Sequence, residues 1–173
     1  MRNIEVKAQI TADELDAVRE RALQLASEPP QSLQQRDTFF AVSRGRLKLR
    51  EFGDGSGELI FYERPDQAGP KPSSYVLSPS AAPSSLLAAL SGALGVRGVV
   101  VKRRQVVLAG QTRIHLDEVE DLGYFLELEV VLRSDQSDAE GEEIAEQLCS
   151  QLRLRRDAFV SEAYIDLLEG ADA

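Results

Sequence analysis

The sequence predicts an α+β fold of about eight strands, mostly joined as hairpins, forming an antiparallel sheet or barrel with helices packed outside it. Three observations carry that expectation. Strand-length stretches alternate apolar and polar residues with period two, beginning with "RNIEVKAQI" at residues 2–10. Clusters of Gly, Asp, Ser and Pro punctuate these stretches at close intervals. Helical periodicity is confined to the segments after the first and fifth strands and to the C-terminal tail.

In the first strand Ile4, Val6, Ala8 and Ile10 share one face, and Asn3, Glu5, Lys7 and Gln9 share the other. "TADELDAVRERALQLAS" follows as an amphipathic helix. Thr11 and Glu14 have capping-box spacing, and Leu15, Val18, Ala22 and Leu25 form the apolar stripe. "EPPQS" ends it. The stretch "QQRDTFFAVSRGRLKLREFGDGSGELIFYERPD" divides into strands at Ser43-Arg44-Gly45 and at Gly53-Asp54-Gly55-Ser56-Gly57. "PDQAGPKPSS" reads as a mobile loop, and "SSYVLSP" as a short fifth strand. A helix begins near Pro83, carries Leu86, Leu90 and Leu94, and meets its stop at Gly95. "VRGVVVKRRQVVLAG", "QTRIHLDEVE" and "GYFLELEVVLR" complete the strands. In the tail Ile144, Leu148 and Leu152 recur at helical spacing with Cys149 beside them as core packing, and "AYIDLLEG" closes the chain.

The chain has 173 residues, 43% hydrophobic and 28% charged, as expected of one ordinary globular domain spanning residues 1–173. No apolar run approaches the roughly 20 residues needed to cross a bilayer, and no signal-peptide core stands at the N-terminus. The expectation is no membrane association and a cytoplasmic location. The single cysteine, Cys149, excludes an intramolecular disulfide framework and a cysteine-based zinc cluster. A net charge of −9 argues against nucleic-acid binding, which relies on a basic surface.

That acidic balance makes the placement of cations informative. Arg46, Lys48 and Arg50 share one face of their strand, opposite Leu47 and Leu49. Arg64 is in phase with Tyr62 and Glu58, and Lys102 with Arg104. Arg113, His115 and Asp117 are in phase opposite Ile114 and Leu116. Glu127 and Glu129 share a face with Phe125, opposite Leu126 and Leu128. If the sheet closes, Lys7, Lys48, Arg50, Arg64, Lys102, Arg104 and Arg113 face inward beside the carboxylates of Glu5, Asp117, Glu127 and Glu129. A dry interior cannot hold that charge. A highly charged anion with divalent cations can satisfy it: guanidinium and ammonium groups bind phosphate oxygens, and paired carboxylates take Mg²⁺ or Mn²⁺.

These residues resemble the CYTH superfamily, the triphosphate tunnel enzymes that include class IV adenylyl cyclases and thiamine triphosphatases. The family's N-terminal Glu-x-Glu-x-Lys corresponds to Asn3-Ile4-Glu5-Val6-Lys7. "DTFF", "GRLKLRE", "LIFYERPD", "VVVKRRQVVL" and "RIHLDEVEDLGYFLELEVV" follow in the family's order, and "AYIDLL" matches its end. "IHLDEVEDLGYFLELE" is most similar to the class IV cyclase branch.

The resemblance implies a closed eight-stranded antiparallel barrel forming an open tunnel, with a triphosphate and divalent metal inside. It implies metal ligation by Glu5, Glu127 and Glu129, with Asp117 a further ligand or a support to the ligands. It implies phosphate binding by Lys7, Lys48, Arg50, Arg64, Lys102, Arg104 and Arg113. Lys7, Arg50 and His115 are the candidate catalytic groups, His115 either paired with Asp117 or moving a proton near substrate. Asn3 departs from the pattern: it offers a neutral oxygen where the family has a carboxylate. The small-molecule partner implied is ATP or a polyphosphate. The implied activity is ATP cyclisation, or alternatively hydrolysis of tripolyphosphate, thiamine triphosphate or a nucleoside triphosphate; a non-catalytic polyphosphate-binding module is a third option. Oligomeric state is open, a homodimer included.

Overall fold

The strands are β1 (Arg2–Ile10), β2 (Gln31–Phe40), β3 (Arg46–Phe52), β4 (Gly57–Glu63), β5 (Lys71–Ser80), β6 (Val96–Ala109), β7 (Thr112–Val119) and β8 (Gly123–Val131). In the computed structural model, which describes residues 1–171, they close into a barrel in the order β1-β5-β4-β3-β2-β6-β7-β8. Every neighbouring pair is antiparallel. The helices are α1 (Ala12–Gln24), α2 (Pro83–Leu94), α3 (Asp138–Leu152) and α4 (Tyr164–Ala171), with a short 3-10 turn at Arg156–Ala158. The α+β barrel expected from the alternation is the fold observed. No helix among the described residues is long and apolar enough to cross a membrane.

Both long capped helices start the same way. Thr11 accepts from the Glu14 amide while Glu14 returns to the Thr11 backbone, and Ser137 and Glu140 repeat the exchange at the start of α3. The apolar faces of β1, β7 and β8 point outward, so the main core lies between barrel and helices. Ile4, Val6, Ile114, Leu126 and Leu128 pack there against Val18, Ala22, Leu148 and Leu152. Gly141 lets α3 sit directly on the sheet, because any Cβ there would collide with Ile4 and Leu132. With its apolar face used outside, the barrel keeps its other face for polar groups.

The fifth strand is longer than its apolar pattern suggests. "PDQAGPKPSS" is loop only as far as Pro70, and β5 begins at Lys71. Pro72 pairs with Ile4 of β1 beyond the point where the β4 ladder stops at Ser74. Pro79 pairs with Glu58 of β4 where the β1 ladder has already ended. Each proline therefore sits where β5 has a neighbour on one side only, which tolerates a missing donor.

One end of the barrel is stoppered, unlike the open tunnel the family resemblance implies. Phe39, Val100, Val119 and Phe125 point inward there and pack with Ala163, Tyr164 and Ile165 of the C-terminal segment. The Phe125 and Tyr164 rings meet edge to face at 4.9 Å. Gly98, also inward, leaves the space that Ile165 fills. Ile165 is 2% exposed, and truncating such a side chain costs about 2–5 kcal/mol. Ile165→Ala is expected to lose that much stability in chemical denaturation; a loss below about 0.5 kcal/mol would mean the stopper is not packed.

Candidate active site

The barrel encloses a cavity of about 340 Å³ that reaches from the stopper to the opposite mouth. The inward residues of the strands line it: Lys7, Lys48, Arg50, Arg64, Lys102, Arg104 and Arg113 among the cations, and Glu5, Glu127 and Glu129 among the carboxylates. Period two puts them there, since each shares its strand's inward phase.

The strongest local charge balance is at Asp37, which sequence reading did not single out. Its Oδ1 and Oδ2 accept from Arg50 Nε and Nη2, both at 2.8 Å. Oδ2 also accepts from Lys48 at 2.9 Å and Lys102 at 2.8 Å. Burial would raise the Asp37 carboxyl, but Arg50, Lys102 and Lys48 together hold it well below the usual carboxylate range. Asp37 has the inward phase of Gln35 and Phe39, and that phase is the signal that could have found it.

A second group gathers on β1, β7 and β8. His115 Nδ1 lies 3.5 Å from Glu127 and 3.9 Å from Glu129. One ligand atom from each of these three lies within 4.8 Å of the others. Lys7 Nζ stands 3.5 Å from Glu127, and Arg64 Nε 3.4 Å from Glu5. Burial raises the Glu5 carboxyl, and the charges of Glu127 and Glu129 raise it further. Burial also opposes ionisation of Glu127, yet Lys7, His115 and Arg104 hold it well below the ordinary glutamate range. His115 Nδ1 and Asn3 Oδ1 are buried without a hydrogen-bond partner. Crowded carboxylates with the unpartnered Asn3 and His115 atoms in the same cavity fit a hard divalent cation.

Asp117, expected as a ligand or as a support to the ligands, is engaged by Arg104 and Tyr164. Its oxygens accept from Arg104 Nε at 2.7 Å and Nη2 at 2.6 Å, and Oδ2 also accepts the Tyr164 hydroxyl at 2.8 Å. With both oxygens so engaged it neither lines the cavity nor joins the His115–Glu127–Glu129 group. The expected His115–Asp117 pairing gives way for the same reason: Asp117 is taken by Arg104, and His115 faces Glu127.

Near the stopper the C-terminal backbone meets the tunnel cations. Lys7 donates to the Glu162 carbonyl at 3.2 Å and lies 4.0 Å over the Tyr164 ring. Arg64 donates to the Ser161 carbonyl at 2.9 Å. Lys71, 1% exposed, donates to the carbonyls of Gln67 and Ser161 at 2.8 and 3.1 Å. Burial, with Arg64 and Lys7, brings its ammonium down to about 8. Reading its neighbourhood as a loop hid Lys71 from the sequence pattern.

A family model for the CYTH domain matches residues 1–164. The chain belongs to the CYTH family. No curated protein matches it by sequence. Among solved structures, a Pyrococcus horikoshii protein is similar at a TM-score of 0.83 and 23% identity, covering 95% of this chain and 98% of that one. A candidate adenylate cyclase from Vibrio parahaemolyticus is similar at 0.75 and 18%, covering 96% and 97%. A Hippeastrum protein described as a candidate adenylyl cyclase with a dominant triphosphatase activity is similar at 0.65 and 13%, covering 98% and 96%. At these identities the likeness is one of fold.

Two outcomes follow from this geometry. Burial brings the Lys102 ammonium down to about 7; Asp37 opposes the shift, while Arg50, Arg104 and Lys48 add to it. At pH 8 the amine is mostly neutral, and a polyanion beside it favours its charged form. Triphosphate binding at pH 8 is expected to take up protons, an uptake that fades at pH 6, where the amine is already charged. Calorimetry in two buffers of different ionisation heat measures this, and Lys102→Met should remove most of it. Separately, Asn3→Asp adds a charge beside Glu5 and should tighten Mn²⁺ binding to the free protein several-fold in an electron paramagnetic resonance titration. Superimposed titrations would put Asn3 out of reach of the ion.

Proposed function

We propose that the protein is a divalent-metal-dependent enzyme that cleaves a triphosphate held in the barrel, by the reaction of a class IV adenylyl cyclase. The observation that carries this reading is the enclosure of seven cationic side chains and the His115–Glu127–Glu129 group in one cavity closed at one end. Glu127 and Glu129, with Glu5 and the neutral oxygen of Asn3, are the groups that would hold Mg²⁺ or Mn²⁺. When bound, such an ion neutralises phosphate charge and polarises the phosphorus under attack.

The protein side chains supply the rest. Lys48, Lys102, Arg64 and Lys7 lie against the stopper residues Phe39, Tyr62, Ser161 and Tyr164, so the deepest anion site is theirs. Arg50 joins Lys48 and Lys102 at Asp37, where a phosphate can replace or share the carboxylate. Arg113, His115 and Glu129 stand toward the mouth. A triphosphate inserted tail first then sets its two outer phosphates among the deep cations and its innermost phosphorus near His115 and Glu129. That placement favours attack by the 3′-hydroxyl of ATP on the α-phosphorus: the new O–P bond forms, the α–β anhydride breaks, and pyrophosphate leaves into the deep cation site. His115 is the candidate acceptor of the hydroxyl proton, directly or through water. Fixed charges aimed at the developing charge provide most of the acceleration.

A second reading, hydrolysis of the terminal phosphate, draws support from the similar Hippeastrum protein, whose dominant activity is described as that of a triphosphatase. Incubation with ATP, inorganic triphosphate and thiamine triphosphate, each with Mg²⁺ or Mn²⁺, separates them. Cyclic AMP with pyrophosphate is the expected outcome; orthophosphate from any of the three supports the hydrolase, and binding without turnover supports a polyphosphate-binding module. Glu127→Ala and Glu129→Ala should each lose about a hundredfold in metal-dependent turnover while circular dichroism still shows the folded barrel. Full activity of both at limiting metal would remove them from the site.

A further inference from the structure

Outside the barrel, apolar cover is uneven. Strands that turn charge inward turn apolar side chains outward, and those outward faces need burial. On β1, β7 and β8 the helices α1 and α3 provide it, and Ile4, Val6, Ile114 and Leu128 are fully covered. The stopper helix α4 packs on β6, and α2 packs on β2 and β3, where Leu49 is hidden. Among the described residues, no helix takes β4 or β5 as its main support.

The outward residues on that side form one row across three strands. Leu47 of β3 lies opposite Phe61 of β4, and Phe61 lies opposite Val76 of β5. Leu59, the neighbouring outward residue of β4, lies between Leu49 and Ser78. Their phase is fixed by Ile60, Tyr62, Tyr75 and Leu77, which alternate with them and line the cavity. The row opens to solvent at its end: Val76 is 65% exposed, while Phe61, Leu59 and Leu47 are half-buried. Helix α2 flanks it, with Pro83 tight against Gly57 of β4 and Leu94 exposed at its far end.

This side also lacks charge. From Pro72 to Val96, through β5 and α2, no side chain is acidic or basic, in a chain that is 28% charged. That composition decides the kind of partner. The net charge is −9, so a basic partner would be steered to the acidic surface and gain nothing from a neutral one. A lipid surface or a nucleic acid would call for Lys and Arg along the stretch, which has none. A second copy has the opposite requirement. Two chains at −9 repel wherever their charges meet, and approach closely only through a face that carries none. An apolar row with serines at its rim can meet its own equal about a twofold axis.

We infer that the outer face of β4 and β5, together with α2, is the interface of a symmetric dimer of this chain, with Phe61 and Val76 buried at its centre. Each copy's α2 then covers the other copy's β4–β5 row, supplying the helix that this side of the barrel lacks.

Sedimentation equilibrium on the full chain is expected to show a monomer–dimer equilibrium at micromolar concentrations. Added salt should tighten the dimer, because it screens the repulsion between two acidic chains and leaves apolar contact in place. Val76→Glu should weaken it at least about tenfold, since a twofold axis brings the two new charges together. Val76 is exposed in the monomer, so circular dichroism should still show the folded barrel. Leu23→Glu adds the same charge at an exposed position on α1 and should leave the dimer as it is. A dimer that Val76→Glu leaves intact, or that Leu23→Glu weakens equally, lies elsewhere and overturns the interface. A wild-type chain that stays monomeric at high salt overturns it as well, and flotation of that monomer with phosphatidylcholine vesicles would give the face to a lipid surface instead.

Discussion

The fold depends on one electrostatic constraint: cations inside a closed barrel need counter-charge at contact distance. An uncompensated buried ion costs several kcal/mol, and removing one partner of a buried pair costs about 3–5 kcal/mol. Asp37 meets this need for Arg50, Lys48 and Lys102 together, three cations from two neighbouring strands on a single carboxylate. Asp117 does the same for Arg104. These two aspartates let the barrel stay folded around its positive wall before any polyanion arrives. They also make that wall exchangeable, since a phosphate offers the same bidentate acceptor geometry as the carboxylate it approaches.

The same network links the C-terminal segment to the candidate site. Tyr164 closes the barrel end with its ring and bonds Asp117 with its hydroxyl. Asp117 fixes the Arg104 guanidinium, whose Nη2 stands 3.6 Å from Glu127. Outside, Asp166 of α4 is gripped by Arg46 at 2.8 Å and Arg97 at 2.6 Å. Burial opposes its ionisation, but the Arg97 hydrogen bond and the charges around it keep the carboxyl below its ordinary range. The stopper is therefore held by packing inside and by ion pairs outside. A hydrogen-bonded path of two residues, Asp117 and Arg104, separates it from Glu127.

Most of this was legible because a strand has period two. Lys48 and Arg50, Lys102 and Arg104, and Glu127 and Glu129 each declare a shared face, and their sorting by sign distinguishes an interior from a solvated surface. What stayed hidden has physical reasons. Asp37 is a lone carboxylate between Gln35 and Phe39, so its strand shows no repeated charge. Lys71 follows a proline and glycine run whose composition signals loop, while the sheet accommodates Pro72 where β5 has only β1 beside it. Tyr164 belongs to a helix pattern, and nothing local says that its helix enters a barrel end. Pairing, burial and closure are tertiary facts that periodicity cannot express.

Charge counting inside the cavity carries the last step. Seven cationic and five carboxylate side chains line it among the described residues, a small positive excess for the triphosphate site proposed. The whole chain is at −9, so the exterior is more negative still, and long-range attraction cannot draw a polyanion in from a distance. Affinity must arise locally, after entry, where desolvated cations act at short range. Glu5, Glu127 and Glu129 cancel part of that wall as long as they are ionised and free, and burial together with the charges of Glu127 and Glu129 raises the Glu5 carboxyl. Neutralising them with a divalent cation would restore the full positive wall around the triphosphate proposed to bind there. On this account metal dependence is a property of the charge balance of the barrel, and holds whichever phosphorus is attacked.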